Sequence, residues 1–245
     1  MLDCFLISYF KISFCLERFF LGNYPAFKVP DYQIVSPFEL IPYLATGVVA
    51  GLVAVAFIRT LSFSEIAFER LRMPEYLKAC LGGAMVGVIG LQLPQVFGVG
   101  YTTISLALAG TLPAITMAAL VATKIVATSV TIGSGGSGGV FAPSLFLGAM
   151  AGGVVGTLVN QYFPGATASS GAYALVTMGA VVAATTHAPI SAIIIIFELT
   201  QTIDIIPALM SACVVSSLVS QLLSRDSIYT SKLRRQGVDL DEKTD

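Results

Sequence analysis

Between Glu75 and Glu198 this 245-residue chain has no aspartate or glutamate. That gap excludes most of what a polar interior does. Without carboxylates there is no acid–base pair for hydrolysis or proton abstraction, so an enzyme is not expected. A cation pathway through a membrane usually displays acidic rings or relays, and this stretch has none. The possible cations in the same stretch are few: Lys78, Lys124 and His187. Charge is scarce overall, at 11% of residues against about 25% in an ordinary soluble domain. The formal net charge of −1 gives no global field for nucleic acid or acidic partners. The four cysteines, Cys4, Cys15, Cys80 and Cys213, are scattered with no C-x-x-C pair. They indicate neither a disulfide framework nor a zinc site, and no metal or other cofactor is expected. Residues 1–21 contain Asp3, Lys11, Glu17 and Arg18 and lack a small-residue cleavage site, which makes a poor signal peptide.

What the chain has instead is apolar length. Hydrophobic residues make up 56% of it and the mean hydropathy is +0.85. A helix needs about 20 mostly apolar residues to cross a bilayer. Residues 38–61, 114–132, 140–159 and 205–223 meet that requirement, and 77–93 is a shorter candidate. Two short apolar pieces, 171–185 and 189–200, are separated by a break at residues 186–189. A second break, at 133–139, divides two full spans. In lipid every backbone polar group needs a partner, so interrupted helices survive only inside protein or beside a water-filled cavity. Such interruptions point to a transport site. Residues 1–21 read as a degenerate or truncated membrane helix. Basic residues, Arg59, Arg70, Arg72 and Lys78 after the first clear span and Arg225, Lys232, Arg234, Arg235 and Lys243 after the last, put both regions on the cytoplasmic side. The C-terminus is therefore expected to be cytoplasmic, with 232–245 as a polar tail. The uncharged stretches 94–101 and 160–170 are expected on the opposite face. Gly83 and Gly87, and Gly148 and Gly152, form G-x-x-x-G pairs that allow close helix packing.

The break at 133–139 is a glycine-rich turn: Gly133, Ser134, Gly135, Gly136, Ser137, Gly138, Gly139, then Val140, Phe141, Ala142 and Pro143. It satisfies G-x-G-x-x-G formally. An apolar run precedes it, however, and no acid follows until Glu198, so a dinucleotide fold does not fit. An anion site does. Glycines let the chain turn with its N–H groups exposed. A helix starting near Val140 leaves its first four N–H groups without internal partners. Its dipole adds roughly half a positive charge at that end. Partial charges hold a small anion while permitting its release.

At these residues the chain resembles the CLC family of chloride channels and chloride/proton antiporters. The segment 133–143 resembles the second-half filter motif of that family. His187-Ala188-Pro189-Ile190-Ser191, with Phe197-Glu198-Leu199-Thr200, resembles its next helical pair. Ser227-Ile228-Tyr229, running to Leu233-Arg234-Arg235, resembles its final short helix. Residues 25–40 resemble the linker between its halves, and the likeness covers about residues 17–237. It implies an all-α polytopic membrane bundle with broken and re-entrant helices, in which residues 22–231 form one of two inverted repeats. It implies a homodimer with one anion path per subunit. The N–H groups of Val140 and Phe141, beside Gly139, would hold chloride, and the Tyr229 hydroxyl would donate from the opposite side. Glu198 would lie on a helix at the dimer contact. The family's first-half motifs, Gly-Ser-Gly-Ile-Pro and the Gly-Arg-Glu-Gly-Pro type with its gating glutamate, do not occur here. A missing N-terminal half is therefore expected as a partner. The alternative reading is a truncated, non-conducting fragment that only associates with other membrane subunits. A third is an unrelated carrier with a re-entrant glycine loop. His187, at the second break, reads as a polar residue satisfying backbone there, with a proton relay as the sharper alternative. Lys124 reads as snorkelling or as satisfying carbonyls of the adjacent break, with an electrostatic contribution to the anion path as the sharper alternative.

Overall fold

The computed structural model describes Phe27 and residues 40–162, 168–224 and 226–235. The proposed helix at 1–21, most of the linker at 25–40 and all but four residues of the tail at 232–245 lie outside that set. Nine helices occur among the described residues: α1 (Leu40–Arg70), α2 (Glu75–Gln92), α3 (Tyr101–Leu108), α4 (Ala114–Gly133), α5 (Phe141–Tyr162), α6 (Ser170–Thr186), α7 (Pro189–Thr200), α8 (Ile206–Leu223) and α9 (Ile228–Arg235). A single 3-10 turn, Pro94–Val96, follows α2. Among the described residues, four helices are long and apolar enough to cross a membrane.

The boundaries follow local chemistry. Pro74 and Pro113 stand at the caps before α2 and α4, where a missing N–H is harmless. Pro189 opens α7 directly after α6 ends at His187, which takes the left-handed conformation with φ 57°. That conformation is uncommon for a residue with a side chain, and it reverses the chain within two residues. Gln201 closes α7 in the same way, with φ 54°. α1 runs nine residues beyond the expected span end at Leu61, because its last turns rest on α4 rather than entering a loop. There the Ser64 hydroxyl donates to the Ser129 carbonyl at 2.7 Å. α3 was not expected from the sequence. It is only eight residues long and follows Gly100, whose φ of 80° turns the chain into it.

The core centres on α6. Every residue from Gly171 through Thr185 is buried, because α1, α5, α7 and α8 pack around it. A helix apolar on all sides and surrounded by other helices has no outer face to present. The closest contact is with α5. A side chain at Gly148 would meet the Thr177 carbonyl and Met178 backbone, and one at Gly152 would meet Thr177 and the Tyr173 carbonyl. This G-x-x-x-G pair therefore brings two backbones together. The pair at Gly83 and Gly87 does not: a Cβ added at either would meet no described atom beyond its own helix backbone within 4 Å. Gly47 and Gly51 let α1 approach the backbone of α8 near Ala212 and Ser216. Arg59 Nη2 donates to the Leu223 carbonyl at 3.0 Å, closing the C-terminal end of α8 with a cation. Phe27 N–H donates to the Leu199 carbonyl at 3.3 Å, and its ring meets Tyr101 edge-on at 5.4 Å.

Candidate anion-binding site

The glycine-rich turn divides into two parts with different uses. The first part caps α4. Ser134 N–H donates to Val130 O at 2.9 Å, Gly135 N–H to Ile132 O at 3.1 Å and Gly136 N–H to Thr131 O at 2.9 Å. Bonds from Gly136 back five residues and from Gly135 back three, around a left-handed Gly135 at φ 90°, form a Schellman cap. Ser134 adds a hydroxyl bond to Thr131 O at 3.0 Å and is buried against Gly82 of α2. Gly133 packs on the α1 backbone at Ser64 and Glu65. None of the N–H groups of Ser134, Gly135 and Gly136 is free for a ligand.

The second part is different. The N–H groups of Ser137, Gly138, Gly139, Val140, Phe141 and Ala142 donate to no acceptor among the described residues. Phe141 and Ala142 are the first two residues of α5 and can find no partner within it. Pro143 follows within the first turn, where it sacrifices no helical bond. Ser137, Gly138 and Gly139 are exposed, while Val140, Phe141 and Ala142 are half-buried.

The amide of Phe141 is oriented from below. The Val140 carbonyl accepts the Ser144 N–H at 3.1 Å and the Ser144 hydroxyl at 2.8 Å. Thr185 Oγ1 of α6 lies 3.3 Å from Ser144 Oγ. In a trans peptide the C=O and the following N–H point in opposite directions. Fixing the Val140 carbonyl toward the helix body therefore aims the Phe141 N–H outward, along the positive end of α5. Ser144 and Thr185 were not singled out in the sequence. Hydroxyls in long apolar helices commonly bond back to their own carbonyls, so nothing marked these two as different.

A cavity of about 450 Å³ opens beside the turn. It is lined by Ser137, Gly138, Gly139, Ala142 and Pro143, by Lys124, Thr128 and Thr131 of α4, and by the turn around Val96 and Gly98. Val140 and Phe141 do not line it. No carboxylate among the described residues lines it either. Lys124, Thr128 and Thr131 are spaced i, i+4 and i+7, one face of an otherwise apolar helix. That polar stripe was the signal available in the sequence. Lys124 neither snorkels nor meets carbonyls of the adjacent break: its ammonium donates to Val96 O and Gly98 O, both at 2.7 Å.

Tyr229 lies apart from this cavity. Ser227 and Thr230 cap α9 reciprocally: Ser227 N–H donates to Thr230 Oγ1 at 2.7 Å, and Thr230 N–H to Ser227 Oγ at 3.2 Å. Ile228 is buried and anchors the turn. Tyr229 is left 51% exposed, with no partner for its hydroxyl among the described residues. His187 Nε2 lies 3.2 Å from Ser220 Oγ, which donates to Ala184 O at 2.8 Å. It thus meets a side chain of α8 rather than the backbone at its own break. Among the described residues no cluster of side chains could hold a metal.

The described residues thus form a helical membrane bundle with a broken pair of helices. The comparisons with known proteins agree. Residues 3–221 match the family described as voltage gated chloride channel. The chain belongs to that family. A protein of Ralstonia nicotianae described as ClcB-like is 36% identical over 220 residues, which are 90% of this chain and 51% of that one. The voltage-gated ClC-type chloride channel ClcB of Shigella boydii is 35% identical over 186 residues, 76% of this chain and 44% of that one. Among solved structures, a slow cyanobacterial Cl−/H+ antiporter superposes with a TM-score of 0.79 at 26% identity, over 86% of this chain and 50% of that one. The chain spans about half the length of the relatives it matches.

Proposed function

We propose that this chain supplies one half of a chloride-transporting membrane protein, with the anion held by backbone amides at the start of α5. The observation that carries the reading is the run of six residues, 137–142, whose N–H groups have no acceptor among the described residues and sit at the positive end of a 22-residue helix. Gly139, Val140 and Phe141 are the proposed amide ligands, and Tyr229 is the proposed hydroxyl donor. Residues 22–231 are the proposed functional unit and residues after 231 a cytoplasmic tail. A first half, from the same polypeptide or from another, would supply the rest of the anion path, since the relatives matched are about twice as long. The assembly proposed is a homodimer. The chemistry needs no cofactor and makes or breaks no covalent bond.

Chloride efflux from liposomes tests this, first with the 245-residue chain and then with a first half from a ClcB relative added. Flux is expected in the second arm. No flux in either arm would overturn the proposal and leave an associating, non-conducting subunit.

A further inference from the structure

Thr185 and Ser144 are both buried where the last turn of α6 meets the first turns of α5, and their hydroxyl oxygens are 3.3 Å apart. Ser144 has one hydroxyl proton, and the Val140 carbonyl at 2.8 Å takes it. Across the 3.3 Å contact Thr185 is therefore the donor, and it shares its proton with the Val181 and Val182 carbonyls at 2.9 and 3.0 Å. The donors then run in one direction, from the Thr185 hydroxyl to the Ser144 hydroxyl to the Val140 carbonyl. That carbonyl and the Phe141 N–H belong to one peptide group, whose resonance carries polarisation of the oxygen on to the nitrogen. Each bond in such a chain strengthens the next, most of all in a buried setting of low dielectric. The chain ends at the Phe141 N–H, which donates to no acceptor among the described residues.

We propose that Thr185 is a specificity-determining residue for the anion: acting through Ser144, it strengthens and aims the Phe141 N–H so that a compact halide is preferred to a larger anion of diffuse charge. The inference rests on the amide site under Proposed function and names what sets the preference of that site. Thr185 touches no ligand and is a positioning residue, held on a different helix from the amide it serves. A strong local dipole favours a compact ion, because attraction falls as the centres of charge move apart. Thiocyanate spreads its charge along the molecule and gains less from one strengthened donor. Thr177 of α6 supplies the contrast. It is buried as completely and lies against Gly152 of α5, but its hydroxyl donates to the Tyr173 carbonyl at 2.7 Å, two turns away from the amides.

Calorimetric titration of the detergent-solubilised chain with bromide and with thiocyanate tests this. Thr185→Val keeps the side-chain outline and removes the donor. Bromide affinity should fall about threefold and thiocyanate affinity by less, so the preference for bromide drops. Thr185→Ser returns a hydroxyl and should return the parent preference, while Thr177→Val should leave it unchanged. Ser144→Ala breaks the same chain one link later and should lower the preference at least as far. An unchanged preference in Ser144→Ala would overturn the inference whether or not Thr185→Val folds. Equal losses for the two anions in Thr185→Val, together with a lower melting temperature, would assign Thr185 to packing alone and overturn it too. A parent chain that binds neither anion would overturn the amide site and this inference with it. Binding in the parent with the same preference in Thr185→Val would overturn the role of Thr185 and leave the amide site standing.

Discussion

Gly135 and Gly139 stand four residues apart and do opposite things. Gly135 ends α4 in the left-handed region at φ 90°, and its N–H is taken by Ile132. Gly139 is exposed, and its N–H has no acceptor among the described residues. Gly135→Ala should therefore destabilise the fold by about 1–2 kcal/mol, the usual cost of placing a Cβ in that region. A lowered thermal midpoint with bromide affinity retained at the lower temperatures would show it. Ser144 is a positioning residue by the same reasoning. Ser144→Ala keeps the N–H bond to Val140 but loses the hydroxyl bond, so the Phe141 amide gains freedom. A loss of bromide affinity of several-fold, with little change in melting, is the expected result. Tyr229→Phe removes a donor without altering shape, and a hydrogen bond to an ion contributes about 1.5–3 kcal/mol. That corresponds to a loss of tenfold or more in anion affinity, and unchanged affinity would remove Tyr229 from the site.

At the scale of elements, α5 is held by what it packs on as much as by its own sequence. Its small residues meet the backbone of α6 directly, and α6 is surrounded on all sides. Gly152→Leu has no space to enter beside Thr177 and the Tyr173 carbonyl. Overpacking of this kind costs about 1–3 kcal/mol, and here it would also tilt the helix whose end carries the amides. The expected outcome is a variant with a lower melting temperature and weaker bromide binding together. The cap of α9 is more local. Ser227→Ala removes one half of the reciprocal cap and should cost about 1 kcal/mol. Its effect should appear as fraying around Tyr229 in hydrogen exchange, with α5 unaffected.

For the whole molecule, the long apolar faces that remain exposed are what a lipid-facing protein requires and carry no preference for a partner by themselves. Met210, Val214, Leu218 and Leu222 follow one another at i+4 along α8, each at least half exposed. Lipid and a second subunit both satisfy such a stripe, so the proposed homodimer needs a direct measurement. Two-step photobleaching of singly labelled chains in liposomes is the expected outcome, and single-step bleaching throughout would remove the dimer.

The apolar runs, the two interruptions and the acid-free stretch between Glu75 and Glu198 were all legible in the residues, and they determined the class of protein. Period and length alone place seven of the nine helices, because a helix in lipid has no freedom to be anything else. That 133–143 would expose amides was legible too, since glycines before a helix start leave N–H groups without helical partners. What the linear chain left open was which amides remain free. Ser134, Gly135 and Gly136 look like their neighbours as letters, and only the closure of the cap on α4 removes them from service. Lys124 was visible as a lone cation. That it reaches across to Val96 and Gly98 and borders a cavity was decided by the folding of the turn after α2 against α4. Such contacts join residues more than twenty positions apart, and no local pattern encodes them.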